Sequence, residues 1–264
     1  MRNNGRRIRS PAEERNNGCG ISRPEKGKTV RGMLRIYVAK MNTESMMERE
    51  GEYLSRLPAW RQEKAKRLRR PVDRAVSVGA WLLAEHALEK EFGLLPGDYR
   101  VKLGERGKPE LVAGDKNVFF SLSHTGNIAA VATAEYPVGL DIEQKEDPGL
   151  RMAYRMFAPA EKERLEGFSK SAAGDAPESQ MIFRDIWTGK EAYLKYTGEG
   201  ISLALSSFYA DEASGRVYRK RRKAAGYYPE DCFIKTLRLE NGLCSLSVCT
   251  PEEDLETEIC FCPV

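Results

Sequence analysis

The chain is poor in histidine and has no paired cysteine motif. Only His86 and His124 occur among 264 residues, which excludes a catalytic or metal centre built from several imidazoles. The six cysteines, Cys19, Cys232, Cys244, Cys249, Cys260 and Cys262, never fall at C-x-x-C spacing, which excludes zinc-ribbon and thioredoxin-type sites. A disulfide framework is not expected in a chain of this length, and Cys260 and Cys262 read as apolar filling of a C-terminal strand. No apolar run reaches the ~18 residues of a membrane-spanning helix. The opening residues lack the apolar stretch of a secretory signal, so a cytoplasmic protein with no membrane partner is expected.

Hydrophobic residues make up 41%, enough for a substantial core. The formal net charge of +4 is unevenly spread. Residues 1–32 carry nine Lys or Arg against three Glu, a local +6, which leaves −2 for residues 33–264. The body is not basic, and its pI is no argument for nucleic acid. Residues 1–32 have no apolar period and read as an extension, either disordered or non-native, with Met33 a candidate natural start.

Regular patterning begins with a strand at 33–39. Residues 43–70 predict a charged helix, and 73–92 a second helix with a broad apolar face that includes His86 as a core residue. Gly104–Gly107 predicts a turn, 118–124 and 127–133 predict strands, and a further strand starts near Tyr136. Helices are predicted over 158–168 and 178–196, separated by a loop at 169–178 and closed by Gly198 and Gly200. Strands follow near 204–210, 216–220, 231–239 and 243–249, with Asn241-Gly242 a hairpin turn. The order predicts an α+β fold of two similar α/β halves, residues 33–135 and 136–264, each a small antiparallel sheet with packed helices. Any internal twofold is structural, since the halves share no evident sequence repeat.

Two segments carry chemistry. In Val138–Glu143 (VGLDIE), Asp141 and Glu143 sit two apart and share one strand face, while Val138, Leu140 and Ile142 take the other. In Trp187–Lys195 (WTGKEAYLK), Glu191 and Lys195 sit four apart and share one helix face. That second pair is equally an ordinary surface ion pair, worth a few tenths of a kcal/mol. Combined with the first, it offers three carboxylates around one hard cation beside an ammonium. That is a site for a magnesium-bound phosphate or pyrophosphate.

Together these segments resemble the paired signature of 4′-phosphopantetheinyl transferases. Both motifs in one long chain resemble the surfactin-synthetase-activating type rather than the short trimeric synthases. The resemblance runs from about Met33 to Thr250 and takes in Gly107–Pro109, Ser121–Gly126, Gly198–Leu203 and Cys232–Lys235. It implies two similar halves with coenzyme A bound between them. It also implies transfer of phosphopantetheine from coenzyme A to a serine of an apo-acyl or peptidyl carrier protein, releasing adenosine 3′,5′-bisphosphate, with Mg²⁺ required and Mn²⁺ an alternative. Asp141, Glu143 and Glu191 are then the metal ligands. Glu191 is alternatively the base, directly or through water, and Lys195 sits on the pyrophosphate. Candidate coenzyme contacts are Lys64, Arg67, Arg74, Lys108, Pro109, Ser123, His124, Lys190 and Lys195, with Lys190 the weaker choice among the lysines. A monomer is expected.

One departure stands out. Where relatives carry an Arg on the 3′-phosphate near the start of the second helix, this chain has Val76. Arg74 or a preceding basic residue must supply the charge, or else dephospho-coenzyme A is tolerated. Arg216–Lys223 holds six basic residues in eight. It reads as a solvated hairpin edge or as a dock for an acidic carrier protein. Two other classes compete: a metal-dependent phosphohydrolase acting on a nucleotide pyrophosphate, and a nucleic-acid module using residues 1–31, 61–74 and 216–223. The −2 charge of residues 33–264 and the lack of an aromatic-rich RNA motif disfavour the second. A Ser/His hydrolase on Ser123 and His124 is disfavoured because strand neighbours point to opposite sides.

Overall fold

The computed structural model describes residues 33–144, 156–169, 177–221, 224–253 and 255–263. The extension at 1–32, most of the loop at 169–178 and the end of the basic run at 222–223 lie outside the described residues.

Residues 43–70 do not form one helix. They split into α1 (Thr43–Glu48), α2 (Glu50–Arg56) and α3 (Ala59–Lys66). Pro58 is the physical reason for the second break: it has no N–H to donate and sits at the N-cap of α3. The first helix is capped by the Asn42 side chain, which accepts from the Ser45 N–H at 3.1 Å. By contrast, α4 (Pro71–Phe92) is one long helix, with Pro71 in its first turn and Gly93 ending it at φ 63°. Its buried face includes Ala75, Val78, Trp81, Ala84 and Leu88.

The face of α4 covers a four-stranded sheet, ordered β11 (Thr257–Pro263), β1 (Leu34–Lys40), β5 (Ile128–Ala134) and β4 (Phe119–Thr125). Trp81 locks this layer: its ring meets Trp60 of α3 at 5.2 Å and Phe120 of β4 at 5.9 Å, both edge-on. The outermost strand, β11, comes from the far end of the chain and runs parallel to β1, unlike the other pairs of this sheet. A short hairpin, β2 (Arg100–Leu103) and β3 (Pro109–Val112), flanks the turn predicted at Gly104–Gly107.

The second sheet has five antiparallel strands, ordered β6 (Gly139–Gln144), β10 (Cys244–Thr250), β9 (Tyr227–Leu239), β8 (Arg216–Lys220) and β7 (Phe208–Ala210). Helices α5 (Pro159–Ser169) and α6 (Pro177–Thr197) belong to this half, and α6 lies across β6 and β10. The β9–β10 connection is a 3₁₀ turn, Glu240–Gly242, with Gly242 at φ 87°. The α+β arrangement of two halves is therefore present. Among the described residues, no helix is long and apolar enough to cross a membrane.

The sheets meet edge to edge, β4 against β6. Side-chain hydroxyls of Ser121, Ser123 and Thr125, at alternate positions of β4, stitch the seam. Ser121 Oγ accepts from the Leu140 N–H at 2.9 Å, Ser123 Oγ donates to Asp141 Oδ1 at 2.6 Å, and Thr125 Oγ1 donates to Glu143 Oε2 at 3.0 Å. Period-two spacing puts the three hydroxyls on one face of β4, so a single strand reads the whole edge of its neighbour.

Candidate active site

The acids lie along that seam. Asp141 is 4% exposed. Its Oδ1 accepts from Lys195 Nζ at 2.7 Å as well as from Ser123. Its Oδ2 is buried and has no hydrogen-bond partner among the described residues. Such an orphaned carboxylate oxygen is costly unless another group comes to it.

Glu143 and Glu191 flank Asp141. Burial first, then the Asp141 charge, pushes the Glu143 carboxyl up to about 7, with Glu191 adding to the rise and Thr125 and Lys195 opposing it. Burial and Asp141 push Glu191 up as well, against Lys195. The three carboxylates thus repel one another in a partly dry setting, which is the frustration a bound cation relieves. They do not converge fully: among the described residues no group of three His, Cys, Asp or Glu side chains stands at metal-holding distance. Lys195 bonds to Asp141, and its charge also acts on Glu143 and Glu191.

Close packing of α6 on β6 makes this meeting possible. A Cβ on Gly139 would collide with the Ala192 carbonyl and the Tyr196 backbone. With glycine there, α6 rests directly on the strand and carries Glu191 and Lys195 to the seam.

A cleft of about 250 Å³ opens beside the acids. Glu191, Leu194, Lys195 and Gly198 of the α6 segment form one wall, and Trp60, Arg61 and Lys64 of α3 form another. The β2–β3 turn adds Arg106, Lys108 and Pro109. This turn is fastened to the C-terminal end of α6: Lys108 Nζ donates to the Tyr196 carbonyl at 3.0 Å, and Arg106 Nη1 donates to the Glu199 carbonyl at 2.9 Å. Burial lowers the Lys108 ammonium to about 8. Lys64 is lowered by burial and then by the Arg61 and Lys195 charges. His124 is lowered by burial, then by Arg61, Lys195 and Lys64, with Asp73 opposing. Arg61, Lys64, Lys108 and Lys195 beside aromatic walls suit a polyanion with a flat apolar part, whereas His124 is exposed and is not among the cleft-lining side chains.

Sequence reasoning missed Arg61. It is 2% exposed, packed against Trp60 and Trp81 at 6.0 and 5.7 Å from their rings, and bonded to the Ser77 carbonyl at 2.7 Å. Its Nε is buried without a partner among the described residues, and burial lowers the guanidinium to about 10. Nothing in a lysine- and arginine-rich helix marks this position as buried, although a basic residue next to Trp60 was a visible cue. Val76, where the lost Arg was expected, is 1% exposed and belongs to the core.

Several expected residues lie elsewhere. Lys190 turns away from the cleft: it pairs with Glu161 at 2.7 Å and donates to the Leu205 and Phe208 carbonyls, because residues adjacent on a helix point about 100° apart. It lines a second, larger cavity of about 990 Å³ between α5, α6 and β9. The charges of that cavity are largely matched, with Asp185 bound to Arg238 and Arg164 to Glu212. Arg74 is also committed, to Glu50 at 2.6 Å and to the Leu68 carbonyl. Arg67 is exposed at the C-cap of α3 and is not among the cleft-lining side chains. His86 stacks edge-on against Tyr37, as a structural residue does.

The family model described as the 4′-phosphopantetheinyl transferase superfamily matches residues 137–241, which include both acidic segments. Over 229 residues the chain is 26% identical to 4′-phosphopantetheinyl transferase Sfp of Bacillus subtilis, covering 86% of this chain and 96% of that protein. It is 28% identical over 229 residues to the ffp transferase of Bacillus subtilis, with the same coverage. It is also 35% identical over 117 residues to 4′-phosphopantetheinyl transferase HetI of a Nostoc species, covering 42% of this chain and 46% of that protein. The matched segment and the similarity to these transferases over most of the chain support a 4′-phosphopantetheinyl transferase of the surfactin-synthetase-activating type.

Proposed function

We propose that the protein transfers the 4′-phosphopantetheine group of coenzyme A to a serine of an apo-carrier protein and releases adenosine 3′,5′-bisphosphate. The observation that carries this reading is the pairing of one acidic seam with one cationic cleft. The cleft provides charges and flat walls for a nucleotide polyphosphate, and the acids stand at its end.

In the step itself the serine oxygen forms a bond to the phosphorus that bears pantetheine. The bond from that phosphorus to the bridging oxygen breaks, and the bisphosphate leaves with the electron pair. Lys195 and Lys108 balance charge on the diphosphate, and Arg61, Lys64 and His124 surround the 3′-phosphate. Glu191, with its carboxyl raised by burial and Asp141, takes the proton from the serine hydroxyl. The unpartnered Asp141 Oδ2 and the mutual repulsion of the acids suit a hard divalent cation. Asp141 and Glu143 would hold Mg²⁺, or Mn²⁺, which supplies neutralisation of phosphate charge, with Glu191 the alternative third ligand in place of its role as base.

The test is incubation of the enzyme with coenzyme A, Mg²⁺ and an apo-carrier protein, read by mass spectrometry of the carrier. A gain of one phosphopantetheine group is expected. Consumption of coenzyme A in the absence of carrier, with no gain on the carrier, would instead mark a phosphohydrolase.

A further inference from the structure

The five-stranded sheet has two unlike faces at its β7 end. Phe208, Val217 and Arg219 point toward α6, where Phe208 packs on Tyr193 at 4.6 Å. On the opposite face, register pairs place Tyr209 beside Tyr218, Lys220 beside Tyr227 and Arg216 beside Phe233. Tyr209 stacks on Tyr218 at 5.4 Å and meets Tyr227 edge-on at 5.1 Å. Lys220 lies 5.0 Å from the Tyr227 ring on this face; Arg221, just past the end of β8, lies 4.9 Å from Tyr228, whose register partner is Arg219 of the α6 side. These tyrosines stay partly exposed, and Lys220 and Arg221 are fully on the surface. Among the described residues neither cation forms an ion pair with a carboxylate.

A solvated strand face needs charge but not a cluster of rigid aromatic rings. Tyrosine platforms rimmed by cations are the composition of a protein interface. The positive charge is also local, since residues 33–264 sum to −2. The strand is tied to the cleft as well. Arg219, on the reverse side of β8, holds Glu199 through two bonds of 2.6 and 2.8 Å, and Glu199 lies between the cleft-lining Gly198 and Gly200.

We propose that this face, centred on Tyr209, Tyr218, Tyr227 and Lys220, docks the acidic surface of the carrier protein. The proposal rests on the transferase reading, because that reaction brings a second macromolecule to the cleft, and a cationic aromatic face complements an anionic partner. Docking here fixes the orientation in which the carrier's serine enters.

The test uses the full chain and the variant Lys220→Glu/Arg221→Glu, assayed with a carrier protein of net negative charge. The apparent KM for carrier should rise about tenfold, because the reversed charges repel the partner. kcat, the KM for coenzyme A and the thermal midpoint should stay at wild-type values. Added salt should raise the carrier KM of the wild type and lower that of the variant, since it screens an attraction in one and a repulsion in the other. A second variant, Tyr218→Ala, should raise the carrier KM without altering the salt dependence. An unchanged carrier KM in the charge-reversed variant overturns the docking surface while leaving the transferase reading intact. So does loss of duplex-DNA binding with the carrier KM unmoved, which would make the face a nucleic-acid site. If the wild type modifies no carrier at all, the transferase reading falls and the docking surface falls with it.

Discussion

Lys195 of α6 and Asp141 of β6 meet at 2.7 Å, yet the ammonium satisfies only one of the two carboxylate oxygens. The lysine binds Oδ1 and leaves Oδ2 for another partner.

Asp141→Asn keeps the side-chain shape and the contact with Ser123, and removes the charge. Transfer of phosphopantetheine should fall by ~100-fold or more, the scale expected when one electrostatic group at a reacting phosphate is lost. Mg²⁺ should raise the melting midpoint of the wild type and not of the variant. Carrier modification by mass spectrometry and thermal melts with and without the metal are the measurements. Wild-type turnover in the variant would remove Asp141 from the site.

Gly139→Ala puts a methyl group into the backbone of α6 at Ala192 and Tyr196. The helix must lift from β6, and overpacking of this kind costs about 1–3 kcal/mol. Turnover should fall more than stability, because the lift separates Glu191 and Lys195 from Asp141. Denaturant melts paired with kcat check this. A variant that loses stability but keeps wild-type kcat would show that the seam tolerates the displacement.

Lys190 and Glu161 form a buried pair, 2% and 8% exposed at their side chains. Lys190→Met alone should cost about 3–5 kcal/mol, since it strands Glu161 without its cation. Adding Glu161→Gln should recover part of that loss. Chemical denaturation of the two single variants and the double variant measures the coupling, and strict additivity would contradict it.

Lys108 gives a pH signature. Burial lowers its folded pKa to about 8 from the ordinary 10.5. Between those values the unfolded chain binds the extra proton, so this group makes stability rise with pH across that window; below about 8 its destabilising effect is complete. The difference in unfolding free energy between wild type and Lys108→Met should therefore grow in favour of wild type from pH 8 to 10.5. Affinity for coenzyme A should weaken over the same range in the wild type, as the cleft loses a charge. A difference that is flat with pH would show that Lys108 titrates as an exposed lysine.

Much of the site was legible because strand and helix periodicity are local properties. The two-residue spacing of Asp141 and Glu143 and the four-residue spacing of Glu191 and Lys195 fix shared faces before any tertiary contact forms. The Ser121–Gly126 segment was visible as a motif, but the partners of its hydroxyls were not, because they sit on a strand of the other sheet. Lys190 and Arg74 were misplaced for the same reason. Their charge was plain, but the carboxylates that claim them, Glu161 and Glu50, lie 29 and 24 residues away. The break in residues 43–70 was signalled by Pro58, which the charged pattern around it obscured.

By itself the sequence determined the α+β order, the acidic strand and the helix that carries Glu191 and Lys195. Those features follow from side-chain period and backbone sterics within a few residues. Only the tertiary structure decided which cations reach the cleft, that Arg61 is among them, and that the aromatic face of β7 to β9 lies on the side of the sheet away from α6. Burial and long-range pairing set those outcomes, and both depend on residues far apart in the chain.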